Sequence, residues 1–336
     1  MSDFIWCKDI VEKCRNETAK RVVGQTNVVD GILTALICDG HVLLEGVPGL
    51  AKTLIVKTFA DISGLSFKRI QFTPDLLPAD VTGTLIYEQQ SQSFSVRKGP
   101  VFTNILLADE INRAPAKVQS ALLEAMAEKQ VTIGEKTYPL PNPFFVLATQ
   151  NPIEQEGTYN LPEAELDRFL LKIHVKYPTA KEEMSIVKTA GLAALTAVNT
   201  VFSAADFNKF KGLLDSVHVE DKIVSYIVSI ISVTRQSTSD QTQAAFSRSG
   251  QNFGKQKLDF LKYISFGVSP RGGIALFKCA KVQALFAGRD YVITEDVKAV
   301  AQSVLRHRIV LSYEATADGI TADDLIKKIL ALMPVP

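Results

Sequence analysis

An apolar run, His41–Glu45 (HVLLE), passes directly into Gly46–Thr53 (GVPGLAKT), and a helical pattern follows to Ile62. No other stretch limits the possible folds of this chain as tightly. A triphosphate needs backbone N–H groups turned inward, a helix N-terminus beneath them and one ammonium at the terminal phosphates. Gly46 and Gly49 permit that path, because glycine accepts positive φ. Lys52 is placed for the β- and γ-phosphates, and the Thr53 hydroxyl for a divalent cation. The candidate binding positions are Gly46, Val47, Pro48, Gly49, Leu50, Ala51, Lys52, Thr53 and Leu54. Ala51 departs from the GxxxxGK[ST] pattern, which has glycine there. A methyl group is the smallest intrusion, so binding is expected to survive. A chance strand–turn–helix with a surface lysine is the competing reading, and the flanking pattern weighs against it.

Three further short apolar runs follow: Phe67–Phe72, Ile105–Ala108 and Phe144–Thr149. Each is apolar enough to be buried on both faces, as parallel strands between helix layers are. Helical patterns such as Lys117–Glu128 alternate with them, which implies an α/β sheet, mostly parallel, with right-handed crossovers. Two of these runs end in polar residues. Ile105–Ala108 ends in Asp109 and Glu110, where Asp109 suits Mg2+ and Glu110 suits orienting and deprotonating water. Phe144–Thr149 ends in Gln150 and Asn151, an amide placed to sense a γ-phosphate or hold that water.

Beyond Pro178 the texture changes. Lys181–Ala190, Ala204–Ser216, Asp221–Arg235, Gly273–Ala287 and Glu295–Arg306 carry apolar residues at helical spacing, so the second half reads as all helix. Thr294 reads as the cap of the last of these. We therefore expect a nucleotide-binding domain at 1–178 and a helical lid at 179–336, with the polar stretch 236–254 as an exposed loop or partly disordered insertion.

A formal net charge of +1 gives no electrostatic case for nucleic acid or a membrane surface. The four cysteines lack CxxC spacing, which fits free buried thiols in a reducing compartment. His41, His174, His218 and His307 lack metal-ligand spacing and read as structural. The N-terminus has no long apolar run and no stretch approaches the ~20 residues that span a bilayer, so a cytoplasmic address is expected.

Together, GVPGLAKT, LLADEINRAPAKVQSALLEAMAE, LATQNPIEQEGTYNLPEAELDRFL and GVSPRGGIALFKCAKVQALFAGRDYVITEDV resemble the MoxR family of AAA+ ATPases. That family belongs to the helix-2-insert clade, near the magnesium chelatase ATPase subunits. The resemblance runs from about Val23 to Arg308. It implies a P-loop αβα domain followed by an all-α lid, Mg-dependent ATP hydrolysis, and a homo-oligomeric ring, commonly hexameric. An arginine finger from the neighbouring subunit is implied at Arg168 (ELDRF), with Arg113 (EINRAP) as rival. A lid sensor is implied at Arg271 (SPRG), where Gly272 and Gly273 replace the more usual alanine and suggest a looser helix start. Val23, in VVGQ, matches the segment beside adenine. Residues 76–99 should contain the helix-2 insert, and Gly134–Pro143 a hairpin. The implied partner is a protein client, often one with a von Willebrand factor A domain, remodelled for maturation or metal-centre insertion.

Other classes share these residues. A DNA-remodelling motor should show a basic insert, whereas the hairpin GEKTYPLP carries only Lys136. A nucleotide-gated scaffold would bind ATP and hardly turn it over, and intact Glu110 and Arg168 argue against it. A small-molecule kinase leaves the long helical lid without a role.

Overall fold

The computed structural model describes residues 2–47, 49–152, 157–189, 196–235 and 255–336; Pro48 and the polar stretch 236–254 lie outside the described residues. Two compact units divide the chain: residues 9–169 with 173–210, and residues 1–8, 170–172 and 211–336. This division differs from one drawn at Pro178. Residues beyond it are tied into the first unit, where Val201 N–H donates to Ile62 O (2.7 Å) and Arg21 Nε to Thr196 O (2.6 Å).

After helices α1 (Ser2–Ala19) and α2 (Thr26–Ile37), the chain alternates β1 (Val42–Glu45), α3 (Lys52–Ser63) and β2 (Phe67–Gln71). Then come α4 (Pro78–Thr82), β3 (Gly83–Glu88), β4 (Ser93–Lys98), β5 (Ile105–Asp109), α5 (Ala116–Glu128), β6 (Gln130–Ile133), β7 (Lys136–Pro139) and β8 (Phe145–Gln150). The short helix α6 (Glu163–Leu166), β9 (Leu171–His174) and α7 (Ala180–Lys188) follow. The central sheet has five strands in the order β2-β5-β8-β1-β9. Its β1–β8, β5–β8 and β2–β5 pairs are all parallel. A P-loop α/β fold is therefore observed.

β5 is buried at every residue, and β8 at all but Gln150. β2 corrects the sequence expectation: Lys68, Arg69 and Gln71 are exposed and only Ile70 is buried. The reason is position, since an edge strand has a free flank and tolerates charge. His41 is structural. Its Nδ1 accepts the Val146 N–H (3.1 Å), which leaves the proton on Nε2 facing Met126 O (3.2 Å). Burial pushes its pKa down to about 4. All four cysteines are buried and none is in a disulfide.

Residues 76–99, where the resemblance implies the helix-2 insert, hold α4 and the antiparallel β3–β4 pair. The second expected hairpin starts earlier than Gly134, because β6 (Gln130–Ile133) forms its first strand against β7.

The second unit contains α9 (Asp221–Thr234), α10 (Pro270–Phe286), α11 (Thr294–Leu305), α12 (Tyr313–Ala317) and α13 (Ala322–Leu332). Helix α8 (Ala204–Ser216) precedes α9. A small antiparallel pair, Ile264–Phe266 with Val310–Leu311, qualifies the all-helix reading. At α11 the cap position is Ile293, not Thr294, and the Asp296 carboxylate accepts the Ile293 N–H at 2.9 Å. Gly272 is closely packed at the start of α10. A Cβ there would lie 2.2 Å from Val268 Cγ1 and 3.1 Å from Arg308 Cδ, so an alanine would require the Val268 side chain to shift.

Candidate nucleotide-binding site

The geometry of the site starts from sheet register. Glu45 lies opposite Gln150, Ala108 opposite Ala148, and Gln71 opposite Asp109. The C-terminal ends of β1, β2, β5 and β8 therefore finish abreast along one edge, where parallel α/β sheets bind ligands. Gly46–Ala51 continues from β1, Glu110 from β5, and Asn151, which is buried, from β8.

In the phosphate loop, Gly49 has φ +86° and Ala51 has φ +53°. Ala51 is the N-cap of α3 in left-handed conformation, so its glycine-to-alanine departure sits where glycine is favoured. α3 starts at Lys52, whose Nζ donates to Gly46 O (2.7 Å). The ammonium thus closes across the loop. Thr53 follows within the first turn of α3.

The carboxylate end is organised by Thr149, a fully buried residue that sequence reasoning passed over. Its hydroxyl donates to Asp109 Oδ1 (2.6 Å) and accepts the Glu110 N–H (2.8 Å). Glu110 has φ +56°, a left-handed conformation that a non-glycine residue adopts only under local constraint. Arg113 Nε lies 3.0 Å from Glu110 Oε2. Gln71 Nε2 donates to the same oxygen (2.8 Å), and Arg69 pairs with Asp109.

A cavity of about 230 Å³ adjoins the loop, lined among others by Val23, Gln25, Gly49, Ala51, Leu54 and Ile186. Val23 and the loop residues thus meet in one largely apolar space, of the kind a purine base fills. Arg168 is exposed, one residue before the buried Phe169. Arg271 is exposed in the first turn of α10, in the other unit.

The model of the ATPase family associated with various cellular activities (AAA) matches residues 41–171, and that of the AAA lid domain matches 261–329. Chaperone MoxR1 of Mycobacterium tuberculosis is 46% identical over 326 residues, covering 97% of this chain and 82% of that relative. The chain belongs to the MoxR family of AAA+ ATPases. Protein MoxR of Paracoccus denitrificans is 30% identical over 94% of this chain and 93% of its own length. A crystal structure from Cytophaga hutchinsonii, described as a candidate ATPase, superposes with a TM-score of 0.86 at 44% identity. It covers 100% of this chain and 97% of that one.

MoxR-family membership brings a divalent cation into the account, and the residues present fit one. The hydroxyl of Thr53 and the carboxylate of Asp109 offer hard oxygen donors without sulfur or imidazole, the set that suits Mg2+. Asp109 is largely buried, and its two partners, the Thr149 hydroxyl and the Arg69 guanidinium, fix the direction in which its carboxylate oxygens point. Among the described residues of this MoxR chain, no helix is long and apolar enough to cross a membrane. Sequence reading missed Arg69, Gln71 and Thr149 because each belongs to a strand whose partner is far away in the chain. The only available signal was that Arg69 and Gln71 are polar residues within an apparent buried run.

Proposed function

We propose that this MoxR-type chain binds ATP with Mg2+ and hydrolyses the γ-phosphate within an assembled ring, so as to remodel a protein client. The observation that carries the reading is the Asp109–Thr149–Glu110 clasp at the same sheet edge as the β1 phosphate loop. Lys52 leaves Gly46 O for the β- and γ-phosphates, and the loop N–H groups cradle the rest. Thr53 and Asp109 would hold the cation, which neutralises charge on the phosphate oxygens when bound. Glu110 takes the proton of the attacking water and Asn151 orients that water. Val23 and Leu54 pack the base.

Arg168, exposed and one residue before a buried Phe169, serves as the finger for a neighbouring subunit's nucleotide. Arg113 already faces Glu110 of its own chain at 3.0 Å, which favours Arg168 for that role. Arg271 senses the nucleotide from the lid, and the helical part of the chain from residue 211 onward moves as that lid. A hexameric ring, a client with a von Willebrand factor A domain and a cytoplasmic address complete the reading, on family resemblance.

The engagement of Glu110 by Gln71 and Arg113 favours one alternative, a nucleotide-gated scaffold with little turnover. Two variants separate the cases. Lys52→Ala should lose ATP binding, and Glu110→Gln should bind ATP, lose phosphate release and trap the assembled ring. Wild-type protein that binds ATP and releases no phosphate when assembled moves the reading to the scaffold. Affinity retained in Lys52→Ala removes the phosphate-loop assignment.

A further inference from the structure

The partners of Asp109 are unequal. Oδ1 takes the Thr149 hydroxyl, which is itself fixed by the Glu110 N–H. Oδ2 takes the guanidinium of Arg69 through Nη2 (2.6 Å) and Nε (3.1 Å). The Asp109 side chain is 12% exposed and that of Arg69 is 48% exposed. A carboxylate this buried is costly to leave without an opposite charge or hydrogen-bond donors beside it. A half-exposed guanidinium on an edge strand returns to water at little cost. Arg69 is therefore the exchangeable member of the pair.

We propose that Arg69 is the resident counter-ion of Asp109 and competes with the divalent cation that accompanies nucleotide, thereby setting the cation affinity of the site. The proposal rests on the nucleotide-binding reading above. Two positive charges cannot share one carboxylate oxygen without strong repulsion, so entry of one requires departure of the other. Arg69 is also a positioning residue for the rest of the carboxylate end. Its Nη2 donates to Gln71 Oε1 (3.0 Å), and Gln71 Nε2 donates to Glu110 Oε2 (2.8 Å). A guanidinium can only donate and a carboxylate can only accept, so both ends fix the orientation of that amide. Release of Arg69 leaves Gln71 Oε1 without this donor while its grip on Glu110 stays possible. The metal-side and water-side carboxylates are thus linked through one exchangeable side chain.

The test is a Mg2+ titration of the binding of a fluorescent ADP analogue to the full-length chain, with thermal unfolding in parallel. Arg69→Met keeps the aliphatic stem and removes the charge. It should lower the half-saturating Mg2+ concentration by about fivefold, the scale of a partly exposed ion pair. The nucleotide-free Tm should fall while the Tm gain on adding Mg2+ with nucleotide grows. Arg69→Lys should return towards wild type, and Arg69→Gln should behave like Arg69→Met should that variant fold poorly. An Arg69 that merely orients Asp109 predicts the opposite sign: unchanged or higher Mg2+ demand in Arg69→Met or Arg69→Gln overturns the proposal. Wild-type protein that binds no nucleotide removes the nucleotide reading and this inference with it, whereas nucleotide binding without regard to Mg2+ removes this inference alone.

Discussion

Thr149→Val keeps the shape of a fully buried side chain and removes only its hydroxyl. Two hydrogen bonds are lost. One runs to a charged carboxylate, Asp109 Oδ1 at 2.6 Å, and is worth about 1.5–3 kcal/mol. The other, from the Glu110 N–H at 2.8 Å, is worth about 0.5–1.5 kcal/mol. The expected destabilisation is therefore about 2–4 kcal/mol, a large share of the ~5–15 kcal/mol that typically holds a domain. At roughly 2–4 °C per kcal/mol, the Tm should fall by about 4–16 °C. Thermal and denaturant unfolding followed by circular dichroism measure it, with Thr149→Ser as the control that restores both bonds. The Glu110 backbone sits at φ +56°, so losing its anchor should also reduce phosphate release beyond any loss of fold. A Thr149→Val protein within about 0.5 kcal/mol of wild type would refute the clasp. So would a Thr149→Ser protein as unstable as Thr149→Val.

Three further outcomes are expected. Ala51→Gly should stabilise the chain by about 0.5–1 kcal/mol, because relief of the left-handed strain outweighs the added freedom of the unfolded chain; a lower denaturant midpoint would contradict it. His41, with its pKa pushed by burial from 6.5 to about 4, binds its proton more readily unfolded. Its contribution, about 3 kcal/mol, is complete above pH 6.5 and lost as pH falls through 4, so His41→Gln should flatten the stability profile across that window. Equal slopes in both proteins would dismiss it. Arg168→Ala should spare ATP binding yet reduce ring-assembled phosphate release by about a thousandfold; if Arg113→Ala does so instead, the finger moves to Arg113.

Local chemistry wrote much of this protein into its sequence. GVPGLAKT after an apolar strand, the Asp109–Glu110 pair and Asn151 at strand ends, and the change to helical spacing are all short-range patterns. Each announces itself within a few residues, because turn geometry and side-chain periodicity are local properties. α5, α9 and α10 appeared in the sequence as helical patterns close to their observed spans for the same reason. Edge position was different. Phe67–Phe72 reads like an inner strand, and only the order β2-β5-β8-β1-β9 exposes Arg69 and Gln71 on a free flank.

What the sequence by itself determined, then, was the set of strand-end groups and the loop that suits a triphosphate. Tertiary structure alone decided which of them touch. Thr149 meets Asp109 and Glu110 across 40 and 39 residues of chain, and Arg69 meets Asp109 across 40. Such contacts depend on parallel register set by the packing of whole helices and strands. No local preference encodes them, because the partner's position exists only once the sheet has formed.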